Sequence, residues 1–414
     1  MSAEERIKLA TDQSDSFLKE LSLHFSPEKL PFKLCYDSEF FPIAYGLEKL
    51  LSEDPDALTE FITNSQREEF SFKNPQELHS LRGKETPGSI LTTTLSTGAQ
   101  IITLNTPEAN AIPFGRFTSP DLEQSKFQLA RFHIGPGAVE DMRMAARQAF
   151  QIPVINNLIT DEYKGRMGIV LLTREGQLID PNVGIYKDMG LKIPTTVATI
   201  SHHTDERVPI FGRVPLIQRV NCEALLQRKL RSVGIFDNTA SGMQQTAIVE
   251  EILNQFGNNG DNLEHVTIYS PLLTLYASVV ISEFAKEKGL KILFVCNGCI
   301  LGCNPPDRYY SPVTGNPNLC PEPSLLKVSE AARGNLFEID CARCNWTESL
   351  LSDDGPDSKA ITDSEKELQM HGYSNQYLLD TSSRVTPAVA MECGVDPSQL
   401  LPLSSFVDSQ MSYT

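Results

Sequence analysis

The six residues Asp237-Asn238-Thr239-Ala240-Ser241-Gly242 are the stretch of this chain best equipped for chemistry. They bring together a carboxylate, an amide, two hydroxyls and a glycine. The apolar run Val233 to Phe236 precedes them, and Ile248, Ile252 and Phe256 follow at helical spacing. That order predicts a strand, a tight turn and a helix N-terminus. Free N–H groups at a helix N-terminus attract anions, and in open α/β sheets ligands sit at the carboxyl ends of strands. The loop therefore predicts a cradle for a phosphate or phospho-sugar. The plain alternative is a strand-to-helix connection capped by Asn238 or Ser241.

Gly135-Pro136-Gly137 lies between a strand-like LARFHI and a helical pattern over Ala138 to Phe150. It is a second place where backbone N–H groups could meet an anion, although Gly-Pro is also ordinary turn chemistry.

The cysteines form a third constellation. Of the nine in the chain, six fall between Cys296 and Cys344. Cys296-x-x-Cys299 and Cys341-x-x-Cys344 are two knuckles that predict a structural four-thiolate Zn²⁺ site. Sets that use Cys303 and Cys320 remain open, as does an iron–sulfur cluster. The bland reading is buried, reduced thiols.

The elements that must position these groups read as follows. Ala3 to Phe25 and Ile43 to Thr63 predict helices, and Gln66 to Ser89 is polar and punctuated, so residues 1–95 read as a mostly helical N-terminal region. It would serve as a cap, a dimerisation element or simple packing, which leaves a homo-oligomer open. Strands are predicted at Gln100 to Leu104, Leu129 to Ile134, Pro153 to Ile159 and Met167 to Leu172. Thr173 to Gln218 shows few elements and carries Lys187, Lys192, His202, His203, Arg207 and Arg213, as a lid or binding loop would. A regular β-α-β-α-β rhythm then runs from Val233 to Val295, with a helix over Pro271 to Lys288 capped by Ser270 and ended by Gly289. The fold class expected is α/β: a parallel sheet core flanked by helices over residues 96–303, and a Cys-containing, zinc-pinned C-terminal region over 304–414.

Composition bounds the partners. A net charge of -17 disfavours nucleic acid phosphates and anionic membranes. It leaves room for a local pocket that takes a small phosphorylated metabolite. No uninterrupted apolar run is long enough to cross a bilayer, and the polar, acidic start MSAEERIKLATDQSD has no signal-peptide pattern, so a cytoplasmic protein is expected.

Residues 96–303 resemble the type I phosphoribosyltransferases. That family pairs an apolar strand with two acidic residues, a short turn containing Thr-Gly, and a helix. Here the strand is Val233 to Phe236, Asp237 is the one acid kept, and Ser241-Gly242 stands for Thr-Gly. Phe236 occupies the first acidic position, and Gln244 stands where Thr or Ser is common. The resemblance implies an enzyme that transfers the phosphoribosyl group of phosphoribosyl pyrophosphate to a nitrogen nucleophile such as a nucleobase, with Mg²⁺ on the pyrophosphate. It implies a catalytic role for Asp237, and a phosphate-facing backbone from Thr239 to Met243 beside Asn238. It puts the pyrophosphate loop at Gly135 and Gly137. Two rival readings are a non-catalytic ligand sensor or assembly protein with structural zinc, and a thiol or iron–sulfur redox protein using Cys296, Cys299 and Cys303.

Overall fold

A computed structural model describes residues 57–73, 85–111, 117–121, 126–129, 136–172, 193–204, 213–220, 222–226, 229–239, 241–258, 262–304, 309–312 and 319–320. The predicted helix at Ala3 to Phe25 lies outside these residues, as do residues 43–56 of the helix predicted over Ile43 to Thr63 and most of the C-terminal region; the described end of the second helix is instead a 3-10 turn that leads into a strand.

The first half opens with a 3-10 turn, Ala57–Phe61, and three strands: β1 (Ile62–Lys73), β2 (Glu85–Leu95) and β3 (Gln100–Asn105). Then come α1 (Pro107–Ala111), a small hairpin of β4 (Phe117–Asp121) and β5 (Lys126–Leu129), α2 (Pro136–Ala149), and α3 (Pro153–Asn157), which runs into a π turn at Leu158–Glu162. Next are β6 (Met167–Leu172), β7 (Thr195–Thr204), β8 (Arg213–Val220) and α4 (Glu223–Leu226). The predicted rhythm follows as β9 (Ser232–Phe236), α5 (Met243–Asn258), β10 (His265–Ser270), β11 (Leu273–Thr274), α6 (Leu275–Glu287) and β12 (Lys291–Asn297). The described elements end with β13 (Ile300–Asn304) and β14 (Tyr309–Pro312).

Nine strands form one sheet in the order β1-β2-β3-β12-β10-β9-β6-β7-β8. The run from β3 to β7 is parallel throughout, and antiparallel strands border it on both sides. Both faces of the centre are covered. Val233 and Ile235 of β9, Val266 and Ile268 of β10 and Phe294 of β12 pack under α5 and α6, with Ile248, Ile252, Phe256, Val279 and Phe284. The alternate residues Phe236, Tyr269, Leu293 and Val295 pack on the other face against Ala145, Ala149 and Phe150 at the end of α2 and Ile155 of α3. Burial on both faces explains why these strands read as continuous apolar runs rather than alternating ones.

Several expectations change. Gln66 to Ser89 is not helical where it is described: it contributes to β1 and β2. β1 is long, mostly exposed on its side chains and paired only with β2 in the described sheet, so its polar composition hides the strand. Leu95 N–H donates to Ala99 O at 2.9 Å and closes the β2–β3 turn. Pro153 to Ile159 is helical, not a strand. Pro153 suits a first helical position, and the buried Ile155, Leu158 and Ile159 follow helical spacing. Thr173 to Gln218 contains β7 and β8, which pair antiparallel. The helix expected from Pro271 starts at Leu275, and its cap is Thr274, whose hydroxyl accepts from Ala277 N–H at 3.0 Å. Gly289 follows its C-terminus at φ +69.

The cap moves because of an additional layer. Beyond β9, β10 and β12 the chains break for a few residues and then pair again in the same order. Thr239 bridges Leu273 in parallel, and β11 pairs β13 in parallel. Thr239 N–H donates to Leu272 O at 2.8 Å, and Thr274 N–H donates to Thr239 O at 3.1 Å. A short second rank of strands thus stands over the carboxyl ends of the central three, completed by β14 antiparallel to β13. No helix among the described residues is long and apolar enough to cross a membrane.

Candidate functional site

The chain leaves β6 outward to β7 and β8, then returns to β9 on the opposite flank of β6 and continues through β10 to β12. The connections after β6 and β9 therefore diverge. Such a point in a parallel sheet opens a crevice at the carboxyl ends, where ligands of open α/β proteins bind. Asp237 and Asn238 are the first residues past β9 at this point.

Asp237 is 3% exposed. Its Oδ2 accepts a hydrogen bond from Gln245 Nε2 at 2.8 Å, and its N–H donates to Tyr269 O at 3.1 Å. Gln245 Nε2 also lies 3.4 Å from Asn238 O, and Asn238 Oδ1 accepts from Leu272 N–H at 3.2 Å. The corner is thus a network of side chain and backbone that ties α5 to the exit of β10. Thr239 is fully buried, and its N–H is committed to Leu272, so that group does not face a ligand. Among the described residues its Oγ1 has no hydrogen-bond partner. Ser241 is half-buried, with Oγ 3.4 Å from Met243 N–H at the start of α5, the capping role of the plain alternative. Ala240 lies outside the described residues.

Gly242 has a packing task in the fold. Its φ is +76, and a Cβ there would meet Ile281 Cγ1 at 2.9 Å and Ala277 O at 3.1 Å on α6. The glycine lets α5 and α6 approach, so close packing of helix on helix accounts for it without a ligand. Gly242→Ala should cost about 2 to 4 kcal/mol, combining left-handed backbone strain with overpacking. Urea unfolding checks this, and wild-type stability would show that α6 yields freely.

The missing first acid has a structural counterpart. Phe236 is 1% exposed and points to the face opposite Val233 and Ile235, where its ring stacks on Phe150 at 6.1 Å and packs on Tyr269 at 5.5 Å. Position 236 belongs to the core.

Gly135 lies outside the described residues, and Gly137 is the second residue of α2. The side-chain contacts described for α2 lie towards its other end. Thr106 Oγ1, just past β3, donates to Gln148 Oε1 at 2.7 Å, and Phe150 reaches Phe236. A rise of about 1.5 Å per residue places Gly137 roughly 16 Å from Gln148 along the helix.

The thiols divide between layers. Cys296 packs on the α5–α6 side, with Sγ 3.3 Å from Thr103 Oγ1, whereas Cys299 packs on the α2–α3 side beside Cys320. Burial pushes the Cys296 thiol up to about 12 and the Cys299 thiol well above its usual range. Among the described residues no group of three or more His, Cys, Asp or Glu is placed to hold a metal, while Cys341 and Cys344 lie outside them. His202 and His203 sit on β7 opposite Pro215 and Val214 of β8.

Gln245 was not singled out in the sequence, although the signal was present. It falls on the same stripe as Ile248, Ile252 and Phe256, and a polar residue on an apolar stripe needs a buried partner.

No family model matches the chain, and no curated protein matches it. Among solved structures, the adenine phosphoribosyltransferase of Trypanosoma brucei, in complex with AMP, pyrophosphate and ribose-5-phosphate, is similar over 47% of this chain and 82% of its own. The identity is 13% and the TM-score 0.28. A score of that size assigns neither an activity nor a ligand, so the Asp237 corner stands on its own geometry.

Proposed function

We propose that the chain binds phosphoribosyl pyrophosphate with Mg²⁺ at the crevice between the carboxyl ends of β6 and β9, and transfers the phosphoribosyl group to a nitrogen nucleophile. One observation carries this reading. The single acid of the strand–turn–helix motif stands at the point where the sheet's connections diverge, and a buried amide fixes its carboxylate. In the reaction the bond from the anomeric carbon to pyrophosphate breaks, pyrophosphate leaves with the electron pair, and the nitrogen bonds that carbon. Asp237 would accept hydrogen bonds from ribose hydroxyls and oppose the positive charge that develops on the sugar. Mg²⁺ would neutralise the leaving group.

A second reading is binding without turnover, and Phe236 favours it. With an aromatic ring packed into the core at the first acidic position, only one carboxylate of the pair is available to orient the sugar.

Calorimetric titration of phosphoribosyl pyrophosphate with Mg²⁺, on the wild type and on Asp237→Asn, tests both. Loss of a charged acceptor should weaken binding about 10- to 100-fold. Release of pyrophosphate on adding nucleobases would then establish transfer, and binding without release would establish the second reading. No binding to the wild type would remove both.

A further inference from the structure

Gln245 has no place in the family resemblance, yet it is the buried residue that touches the one acid of the corner. It is 2% exposed, and its side chain springs from the first turn of α5. The amide donates to Asp237 Oδ2 at 2.8 Å, and the same nitrogen lies 3.4 Å from Asn238 O, so one side chain pins two successive residues past β9. An amide buried in a helix–sheet interface is costly unless it is satisfied, and a carboxylate 3% exposed is costly unless a donor meets it. Each group answers the other's requirement. Asn238 passes the restraint on, because its Oδ1 accepts from Leu272 N–H.

We infer that Gln245 is a positioning residue for Asp237: it holds the carboxylate in the orientation in which ligand hydroxyls meet it. The inference rests on the proposed function for its ligand, but not for its geometry. Gln245 acts on the ligand chiefly through Asp237, its nearer contact at 2.8 Å against 3.4 Å to Asn238 O. Most of the effect of its removal should therefore require that carboxylate.

The test is a double-mutant cycle with Gln245→Leu, Asp237→Asn and both together, read in two ways. The first is phosphoribosyl pyrophosphate binding with Mg²⁺. Gln245→Leu alone should weaken it about 10-fold, and should change it less than two-fold when Asp237 is already replaced. Equal losses in both backgrounds would overturn the inference, because they would show a general effect on the fold. The second reading is urea unfolding of the same four proteins without ligand. Non-additive stabilities would support the contact, and additive ones would overturn it. Gln245→Met serves as the shape-conserving variant. It keeps the side-chain length but removes the donor, so it should weaken binding as Gln245→Leu does, and full binding would count against a donor's role. If the wild type binds no ligand while the unfolding cycle is non-additive, the proposed function fails and the Gln245–Asp237 coupling survives.

Discussion

Phe236→Asp is expected to lose at least about 4 kcal/mol of folding stability and to gain no affinity for phosphoribosyl pyrophosphate. On paper the change restores the acidic pair. In the fold it removes a ring that stacks on Phe150 and packs on Tyr269, and it puts a carboxyl among Ile155, Ile169 and Val295. Removing a buried phenylalanine costs about 3 to 5 kcal/mol before the carboxyl is counted. The new group would avoid ionising there, so its pKa would rise above the unfolded value. The unfolded chain then holds the charged form more readily, and the variant should recover part of its stability as pH falls from 7 to 5. Urea unfolding at both pH values measures this. Near-native stability at pH 7, or tighter ligand binding, would show that position 236 can turn into the crevice.

His265 sets the second large effect. It opens β10 at the amino end of the sheet, stacks on Tyr163 at 5.4 Å, and has Nδ1 3.3 Å from Ser232 Oγ and 3.5 Å from Thr267 Oγ1. Burial, with a smaller contribution from the Lys291 charge, pushes its pKa down to about 4 from 6.5. The folded state thus holds the neutral ring and the unfolded state takes up the proton first. Its stabilising contribution is complete above pH 6.5 and is lost as pH falls towards 4. Between pH 7 and pH 4.5 the loss is about 2 kcal/mol. Other groups titrate in the same window, so the discriminating quantity is the wild type minus His265→Leu difference in unfolding free energy. That difference should move by about 2 kcal/mol against the wild type on acidification. A difference that stays constant would show that His265 titrates normally in the folded protein. The neighbouring Arg231–Glu264 ion pair is partly exposed and is the same in both proteins, so it cancels.

The sequence made the core of this fold legible because the relevant signals are local. Val233 to Phe236, His265 to Tyr269 and Leu290 to Val295 are short apolar runs separated by helical patterns, and all three became central parallel strands. The failures occur where partners far along the chain decide. Leu273 and Thr274 read as helix until Ile300 and Leu301, across the helix and the next strand, claim them as a strand. Pro153 to Ile159 is rich enough in branched residues to suggest a strand, but it lies over the sheet as a helix. At the candidate site, the place of Asp237 just past a strand end was legible from the apolar run before it. The reason for Gly242 was not, because it belongs to α6, which contributes Ala277 and Ile281.

The second rank of strands has a bearing on how the rim opens. Thr239, β11 and β13 are joined by backbone hydrogen bonds across connections that would otherwise be separate loops. Freeing the Thr239 amide means breaking its bond to Leu272, and freeing the Thr274 amide means breaking its bond to Thr239. The two amide protons should therefore exchange with deuterium at one common rate, as a cooperative unit. A ligand that seats against Asp237 would slow that whole unit at once, including residues beside α6 that it never touches.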